Sequence, residues 1–237
     1  MKFEFHAASS RGFADHGWLK ANHSFSFASW FNRYRMHFGA LRVLNDDVVA
    51  PGMGFGKHPH DNMEIITIPL EGDLAHKDSM GNEGVISTGE IQVMSAGTGI
   101  VHSEMNGSSK EDVCFLQIWV FPDRKDVRPR YDQVKLDEAS LKNNLVPVIG
   151  SYEKPAQTWI YQNVLFSLGV LDKGVSITYN KISANNGVYL FVIEGEVQIE
   201  EDILKKRDGI AISEKENILI SASENARILV MDTPLLK

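Results

Sequence analysis

Residues 52–64 read GMGFGKHPHDNME, and residues 89–106 read GEIQVMSAGTGIVHSEMN. Each stretch contains two potential metal ligands separated by one residue: His58 and His60 in the first, His102 and Glu104 in the second. Side chains at positions i and i+2 of a strand point to the same face of the sheet. Two such strands facing each other across a small barrel would bring three imidazoles and one carboxylate to a single point.

The sequence around these stretches consists largely of short apolar or alternating runs that glycines separate. The runs are rich in β-branched and aromatic residues, which is typical of β-strands. Examples are residues 40–44, 64–68, 115–120, 188–193 and 227–231. Amphipathic helical periodicity is scarce, and residues 137–144 form the best candidate for a short helix. The sequence therefore predicts a mostly-β protein in sandwich or barrel form.

The chain has 237 residues, a length that suits two domains of ordinary size. Between Pro122 and Pro155 the pattern loosens into charged, proline-containing sequence, which we interpret as the connection between two β domains. An apolar run followed by Glu-Gly and an acid occurs in both halves, which indicates a duplicated barrel. All eight histidines lie at or before position 102. We therefore predict a metal-binding domain over residues 1–135 and a second barrel without a metal site over residues 136–237.

The predicted ligands are suited to a borderline transition metal, because imidazole binds iron, copper, nickel and zinc. An ion that prefers six ligands would keep about two positions for substrate, oxygen or water. The absence of thiolate clusters disfavours a closed structural zinc site and favours an open catalytic site. The alternative is that His58 and His60 are ordinary polar residues beside a turn. Two ligand pairs with glycine-rich approaches favour the metal site.

The remaining histidines and two aromatic residues receive structural interpretations. His23 could reach the rim of a pocket, although nothing in the neighbouring sequence requires it. Phe25 and Phe27 alternate in a strand-like run that is typical of core positions. Solvated or hydrogen-bonded structural roles are expected for the histidines that lack a second ligand at strand spacing, namely His6, His16, His37 and His76.

The two stretches resemble the two cupin motifs, and in detail those of the pirin family of bicupins. His-Pro-His at residues 58–60 and MSAGTGIVHSE at residues 94–104 carry the resemblance, and residues 118–122 and 129–133 continue it. The resemblance covers essentially the whole chain and is strongest up to about residue 135. It implies two tandem jelly-roll-like cupin β-barrels, that is, a bicupin.

The resemblance also implies which carboxylate binds the metal. The general cupin motif uses a Glu that corresponds to Glu64, whereas the pirin subgroup uses the Glu two residues after the last histidine. Glu64 is therefore expected to pack nearby or to orient an imidazole by accepting its free N–H. The implied ligand set is His58, His60, His102 and Glu104.

The pirin-like bacterial proteins that this chain resembles are described as quercetin 2,3-dioxygenases. The implied activity is ring opening of a flavonol by O2 with release of carbon monoxide, with Glu104 as the general base for the 3-hydroxyl group. The implied cofactor is one divalent transition metal ion, with iron(II) favoured over copper, nickel, manganese or zinc. Two alternatives are a metal-loaded regulatory or redox-sensing protein and an enzyme for another small enol or phenol.

Composition limits the other partners and the location of the protein. The formal net charge of −7 disfavours broad binding to nucleic acid or to anionic membranes. The single cysteine, Cys114, lies in an apolar run and is expected to be buried and inert. The chain has no apolar stretch of membrane-spanning length. We expect a cytoplasmic monomer that binds a small phenolic substrate and O2.

Overall fold

The computed structural model describes residues 3–236, which form β-strands and two short 3-10 helices, Ala8–Ser10 and Glu138–Leu141. The strands of the first half are β1 (Phe3–His6), β2 (Gly12–Asp15), β3 (Leu19–His23), β4 (Leu41–Val49), β5 (Gly54–His60), β6 (Glu64–Glu71), β7 (Asp73–Asp78), β8 (Glu83–Ser87), β9 (Glu90–Ser95), β10 (Ile100–Asn106), β11 (Val113–Val120) and β12 (Arg130–Lys135). Those of the second half are β13 (Leu145–Ser151), β14 (Thr158–Ile160), β15 (Leu165–Leu171), β16 (Ser176–Asn180), β17 (Asn186–Glu194), β18 (Glu196–Ile199), β19 (Asp202–Lys205), β20 (Gly209–Ile212), β21 (Asn217–Ala222) and β22 (Ala226–Pro234).

The predicted mostly-β fold is confirmed. The helix expected at residues 137–144 is present only as the 3-10 turn Glu138–Leu141, which the Asp137 side chain caps by accepting from the backbone N–H of Ala139. Within residues 3–236, no helix has the length and apolar character needed to cross a membrane.

Each half of the chain combines a seven-stranded sheet with a four-stranded sheet. In the first half the strand orders are β12-β9-β6-β11-β4-β3-β2 and β5-β10-β7-β8. In the second half they are β1-β20-β17-β22-β15-β13-β14 and β16-β21-β18-β19. Each half therefore has one sheet of seven strands and one of four. The two halves repeat one architecture, as the similar sequence patterns in both halves predict.

The two seven-stranded sheets pack against each other and form the largest apolar core. This core combines side chains such as Ile66 and Ile118 from the first sheet with Phe166, Phe191 and Leu229 from the second. Side chains alternate between the two faces of a strand, so Ile65 and Thr67 of β6 point away from this core and into the first barrel. A strand buried on both faces needs a continuous apolar run, which explains the sequence at residues 64–68.

The first strand belongs to the sheet of the second half. β1 pairs with β20, with Phe3 opposite Ile212. Asp46 also links the two halves, because its carboxylate lies 3.2 Å from both Arg11 of the first half and Arg207 of the second half. The division of the chain at residue 135 remains a prediction. The structure adds that β1, which comes from the first half, is a strand of the seven-stranded sheet of the second half.

The interiors of the two barrels differ in a way that positions the site. The second barrel is filled by one continuous cluster of buried apolar side chains, including Leu190, Ile210 and Ile220. Within residues 3–236, the interior of the first barrel contains two small apolar clusters, one around Phe115 and one around Ile65. Buried polar side chains also belong to this half of the chain, and His76 and His102 are among them.

Candidate metal centre

The two predicted ligand pairs lie on adjacent strands of one sheet. β5 and β10 are antiparallel neighbours, and His58 lies directly opposite His102 in their register. The expectation that these strands face each other across the barrel is therefore wrong. Opposite residues of an antiparallel pair have Cβ atoms about 4.5–5.5 Å apart, whereas packed sheets are about 10 Å apart. Neighbouring strands thus bring short ligands closer together than opposite walls would.

Three of the four predicted ligands form one compact cluster. The ring centroids of His58 and His102 are 4.4 Å apart, and that of His60 lies 4.9 Å from each of them. One ring nitrogen from each histidine lies within 4.8 Å of the others. This spacing would allow all three imidazoles to bind one ion.

A β-bulge in β5 fixes the orientation of His58. The register with β10 shifts between His102 and Glu104, so Phe55 instead of Gly56 lies opposite Glu104. The carbonyl oxygen of Gly56 accepts a hydrogen bond from Nδ1 of His58 at 2.8 Å. A neutral imidazole has a single N–H, so this bond leaves the lone pair of Nε2 available for a metal ion.

The ring nitrogens of His102 are buried and available to an ion. Its side chain is buried, and neither Nδ1 nor Nε2 has a hydrogen-bond partner among the described residues. Leaving a buried polar atom unpaired costs about 1–3 kcal/mol. Burial and the neighbouring histidines lower the pKa of His102 to about 3, and burial and His58 lower that of His60 to about 4. Both rings are therefore neutral near pH 7, the form that binds metals.

Glu104 lies beside His102 but belongs to a second group of possible ligands. Its carboxylate lies within 4.8 Å of ligand nitrogens of His102 and His76. Burial raises the pKa of Glu104 to about 7, and a hydrogen bond from Thr67 Oγ1 to Oε1 at 3.2 Å opposes that shift. A bound cation would favour the ionised carboxylate. The structure thus brings all four predicted ligands into two overlapping groups that share His102.

Sequence analysis missed His76, for which it predicts only a structural role. His76 is buried on β7, opposite Glu104 in the pairing with β10. Nδ1 accepts from Gln92 Nε2 at 3.2 Å, so Nε2 carries the proton and donates to Asp78 Oδ2 at 3.3 Å. The signal was the spacing of His76 and Asp78, which repeats the i, i+2 pattern of the two motifs with a carboxylate in the second position.

A row of polar side chains extends from Glu104 across the seven-stranded sheet. Thr67, Gln117, Asn45 and His23 lie opposite one another on β6, β11, β4 and β3. The Thr67 hydroxyl is 3.2 Å from Gln117 Oε1 as well as from Glu104, so its one hydrogen can serve only one of them at a time. At the far end, His23 Nδ1 donates to Asn45 Oδ1 at 2.9 Å.

A cavity of about 440 Å³ opens beside the histidines. His58, His60 and Glu104 lie on its wall. The rest of the wall is mainly aromatic, supplied by Trp18, Phe27, Phe55, Phe115 and Trp119. The interpretation of Phe27 as a core residue is therefore wrong, because its ring contacts Trp119 at the cavity, whereas Phe25 is in the core as predicted.

Glu64 lies on the opposite face of β6 from Thr67. It accepts hydrogen bonds from Ser95 Oγ at 2.7 Å and from the backbone N–H of Tyr161 at 3.2 Å. No histidine within residues 3–236 is hydrogen-bonded to it, so the suggestion that it orients an imidazole is wrong and its role is packing between the barrels. Burial raises its pKa to about 7. Cys114 is only partly buried, which corrects the expectation of a fully buried thiol.

Comparisons with known proteins agree with this architecture. Residues 4–120 match the family model described as pirin, and residues 148–233 match the quercetinase C-terminal cupin domain. The chain is 40% identical over 228 residues to quercetin 2,3-dioxygenase of Escherichia coli strain K12, covering 96% of each chain. It is 37% identical over 221 residues to a pirin-like protein of Caulobacter vibrioides, covering 93% of this chain and 95% of that protein.

A solved structure shows the same fold. Bacterial pirin YhhW from Escherichia coli in complex with nickel(II) superposes with a TM-score of 0.93 at 36% identity, covering 99% of this chain and 100% of that one. The two family matches fall on the two barrels, and the relatives match over nearly their whole length. The chain therefore belongs to the pirin family, and its fold is a bicupin.

Proposed function

We propose that this protein is a metal-dependent dioxygenase that opens the ring of quercetin-like flavonols with O2 and releases carbon monoxide. The observation that carries the proposal is the imidazole cluster beside an aromatic cavity: His58 and His60 line the cavity wall, and the buried His102 has both ring nitrogens unpaired within residues 3–236. The names of the relatives support the same reaction, since several of them are called quercetin 2,3-dioxygenase or putative quercetin 2,3-dioxygenase.

The proposed cofactor is one divalent transition metal ion held by the four predicted ligands. Three neutral imidazoles and one carboxylate would leave a divalent ion with a net charge of about +1, which favours an anionic substrate. We favour iron(II). Copper, manganese and zinc suit the same donors, and the nickel(II) complex of the Escherichia coli relative makes nickel the second candidate. The proposed ligands are His58, His60, His102 and Glu104.

A divalent ion bound here would supply Lewis-acid chemistry, lowering the pKa of the flavonol 3-hydroxyl group. The proposed general base is Glu104, which would take the released proton on its carboxylate. A bound cation would keep this carboxylate ionised, which is the form that accepts a proton. When the Thr67 hydroxyl donates to Oε1 of Glu104 instead of to Gln117, it would position this carboxylate. Phe27, Phe55 and Trp119 would exclude water from the planar substrate.

The size and the lining of the cavity are suited to a flavonol. Small-molecule sites have volumes of roughly 300–1,000 Å³ and are mostly apolar with a few polar groups. The cavity has a volume of about 440 Å³, and its apolar wall is aromatic. Aromatic rings pack favourably in offset or edge-to-face contacts, which a flat polycyclic substrate can make on both of its faces.

The test is to measure oxygen uptake and carbon monoxide release with quercetin after separate reconstitution with iron(II), nickel(II), copper(II) and manganese(II). We expect turnover with at least one ion, loss of it in His102→Ala, and retention of it in His16→Ala, which changes an exposed histidine that belongs to neither group of possible ligands. Glu104→Gln should reduce turnover much more than it reduces stability. Full metal occupancy without turnover for any ion would overturn the enzymatic proposal and favour a regulatory or redox-sensing role.

A further inference from the structure

We propose that Asp47 is a specificity residue that accepts a hydrogen bond from a phenolic hydroxyl group of the bound substrate. This inference rests on the proposed function and adds a second polar anchor, on the seven-stranded sheet, to the histidine cluster on the four-stranded sheet. It predicts that the protein prefers flavonols whose pendant phenyl ring is hydroxylated.

The first observation is that the Asp47 side chain is buried and that its Oδ1 has no hydrogen-bond partner in the described part of the chain. Asp47 is only 4% exposed. Its neighbour Asp46 is different, because its carboxylate on the other face of β4 pairs with Arg11 and Arg207. Burial raises the pKa of Asp47 well above its usual range, and the nearby Asp46 and Glu104 add to this shift.

The second observation is the position of Asp47 on the cavity wall. It lies opposite Phe115 in the pairing of β4 with β11, and both residues line the cavity. Asn45 precedes it by two residues on the same face and lines the cavity as well. The bond from His23 to Oδ1 of Asn45 fixes that amide, so the wall offers an ordered polar pair within aromatic surroundings.

An unpaired buried carboxyl group needs a hydrogen-bond donor. An unsatisfied buried polar group destabilises the fold, and the Asp47 side chain lies on the cavity wall, so we infer that a bound ligand supplies a donor to its carboxyl group. A carboxyl oxygen can accept from a hydroxyl group in either protonation state. The aromatic walls specify the rest of the ligand, so the donor that suits this position is a hydroxyl group on an aromatic ring.

The experiment compares three flavonols with two, one or no hydroxyl groups on the pendant phenyl ring. Dissociation constants are measured without oxygen on the nickel-loaded protein, by quenching of tryptophan fluorescence, since Trp18 and Trp119 line the cavity. The wild type should bind the dihydroxylated flavonol at least about tenfold more tightly than the unsubstituted one. Asp47→Val should reduce this ratio to near one, and Asp47→Asn, which keeps an acceptor oxygen, should restore part of it.

Phe27→Leu is the matched control, because it changes the cavity wall without changing a hydrogen-bonding group. It should weaken binding of all three flavonols by a similar factor and leave their ratio unchanged. A second measurement uses only the wild type: the phenyl methyl ethers, which lack the donor, should bind as weakly as the unsubstituted flavonol.

Three results would overturn the inference. An unchanged ratio in Asp47→Val, or equal binding of hydroxylated and methylated flavonols by the wild type, would remove the role of Asp47 and leave the proposed function intact. Failure of the nickel-loaded wild type to bind any of the flavonols would overturn the proposed function together with this inference.

Discussion

His102 on β10 lies directly opposite His58 on β5, and their ring centroids are 4.4 Å apart across two hydrogen-bonded strands. The two rings differ in their support. Nδ1 of His58 donates to the Gly56 carbonyl, whereas both nitrogens of His102 are unpaired. A bound ion would therefore relieve the larger desolvation cost at His102, which makes it the most informative of the predicted ligands to change.

Replacing His102 with Leu should abolish metal binding without unfolding the protein. The metal-free wild type retains two unpaired buried nitrogens, so an apolar side chain of similar volume should leave the metal-free stability unchanged or raise it by about 1–3 kcal/mol. Added nickel(II) should stabilise the wild type, since it binds only the folded state, and should not stabilise the variant. Elemental analysis after dialysis and urea unfolding with and without nickel(II) measure both effects. One bound ion per chain in His102→Leu would contradict the site.

The sequence predicted which side chains cluster better than it predicted how their strands are arranged. The i, i+2 spacing of His58 and His60 fixes which side chains share a face, because strand periodicity is local. The neighbouring placement of β5 and β10 depends on sheet order, which is set by packing among distant segments. The position of Asp47 on the cavity wall was not predictable for the same reason. An acidic residue in an apolar strand looks the same in sequence whether it pairs with arginine, as Asp46 does, or faces a cavity.

The fold class was predictable because both halves repeat the same strand pattern, and the family resemblance specified the bicupin. The position of β1 in the seven-stranded sheet of the second half was not predictable, since residues 3–6 carry no signal that distinguishes one edge strand from another. A position of His76 near the predicted site could have been inferred from the sequence, because Asp78 follows at strand spacing and carboxylates commonly orient histidines near metals.

Replacing His76 with Phe should weaken metal binding without removing it. The ring packs 5.4 Å from His102 and 4.9 Å from Tyr131, and Phe can preserve these contacts. The bonds with Gln92 and Asp78 would be lost, and loss of such supporting groups typically lowers metal affinity about 10–100-fold. Competition with a chelator measures the affinity, and elemental analysis at saturating metal measures the stoichiometry. A variant that binds no metal at saturation would show that His76 is itself a ligand.

Replacing Glu64 with Gln should stabilise the protein at high pH and leave the metal in place. The folded-state pKa of Glu64 is raised to about 7 from 4.5 in the unfolded chain, so the folded state binds the extra proton between these values. The contribution of Glu64 to the free energy of unfolding therefore falls as the pH rises from about 4.5 to 7, by about 3 kcal/mol in total. Gln can still accept from Ser95 and from the Tyr161 N–H.

Urea unfolding of Glu64→Gln and of the wild type from pH 4.5 to 8 isolates this effect, since all other titrating groups are common to both proteins. The stability difference should be small at the acidic end and should grow in favour of the variant up to about pH 7. A stability difference that does not change with pH would show that the pKa of Glu64 is not raised in the folded protein. Loss of bound metal in the variant would show that Glu64, and not Glu104, is the metal-binding carboxylate.

Two glycines of β5 form a matched pair that tests the cavity. A Cβ atom at Gly54 would lie 2.3 Å from the backbone oxygen of Glu104, whereas one at Gly56 would meet no atom within 4 Å. Both glycines line the cavity. Gly54→Ala should therefore destabilise the protein by about 1–3 kcal/mol, because backbone atoms must move. Gly56→Ala should be neutral or slightly stabilising, since Ala loses less conformational entropy than Gly on folding.

Gly56→Leu then separates the cavity from the metal site. The larger side chain occupies open space on the cavity wall, so flavonol affinity should fall at least about tenfold while metal stoichiometry and stability remain those of the wild type. Fluorescence quenching measures the affinity, and thermal unfolding with elemental analysis measures the other two quantities. Unchanged flavonol binding in Gly56→Leu, with one ion still bound, would place the substrate outside this cavity.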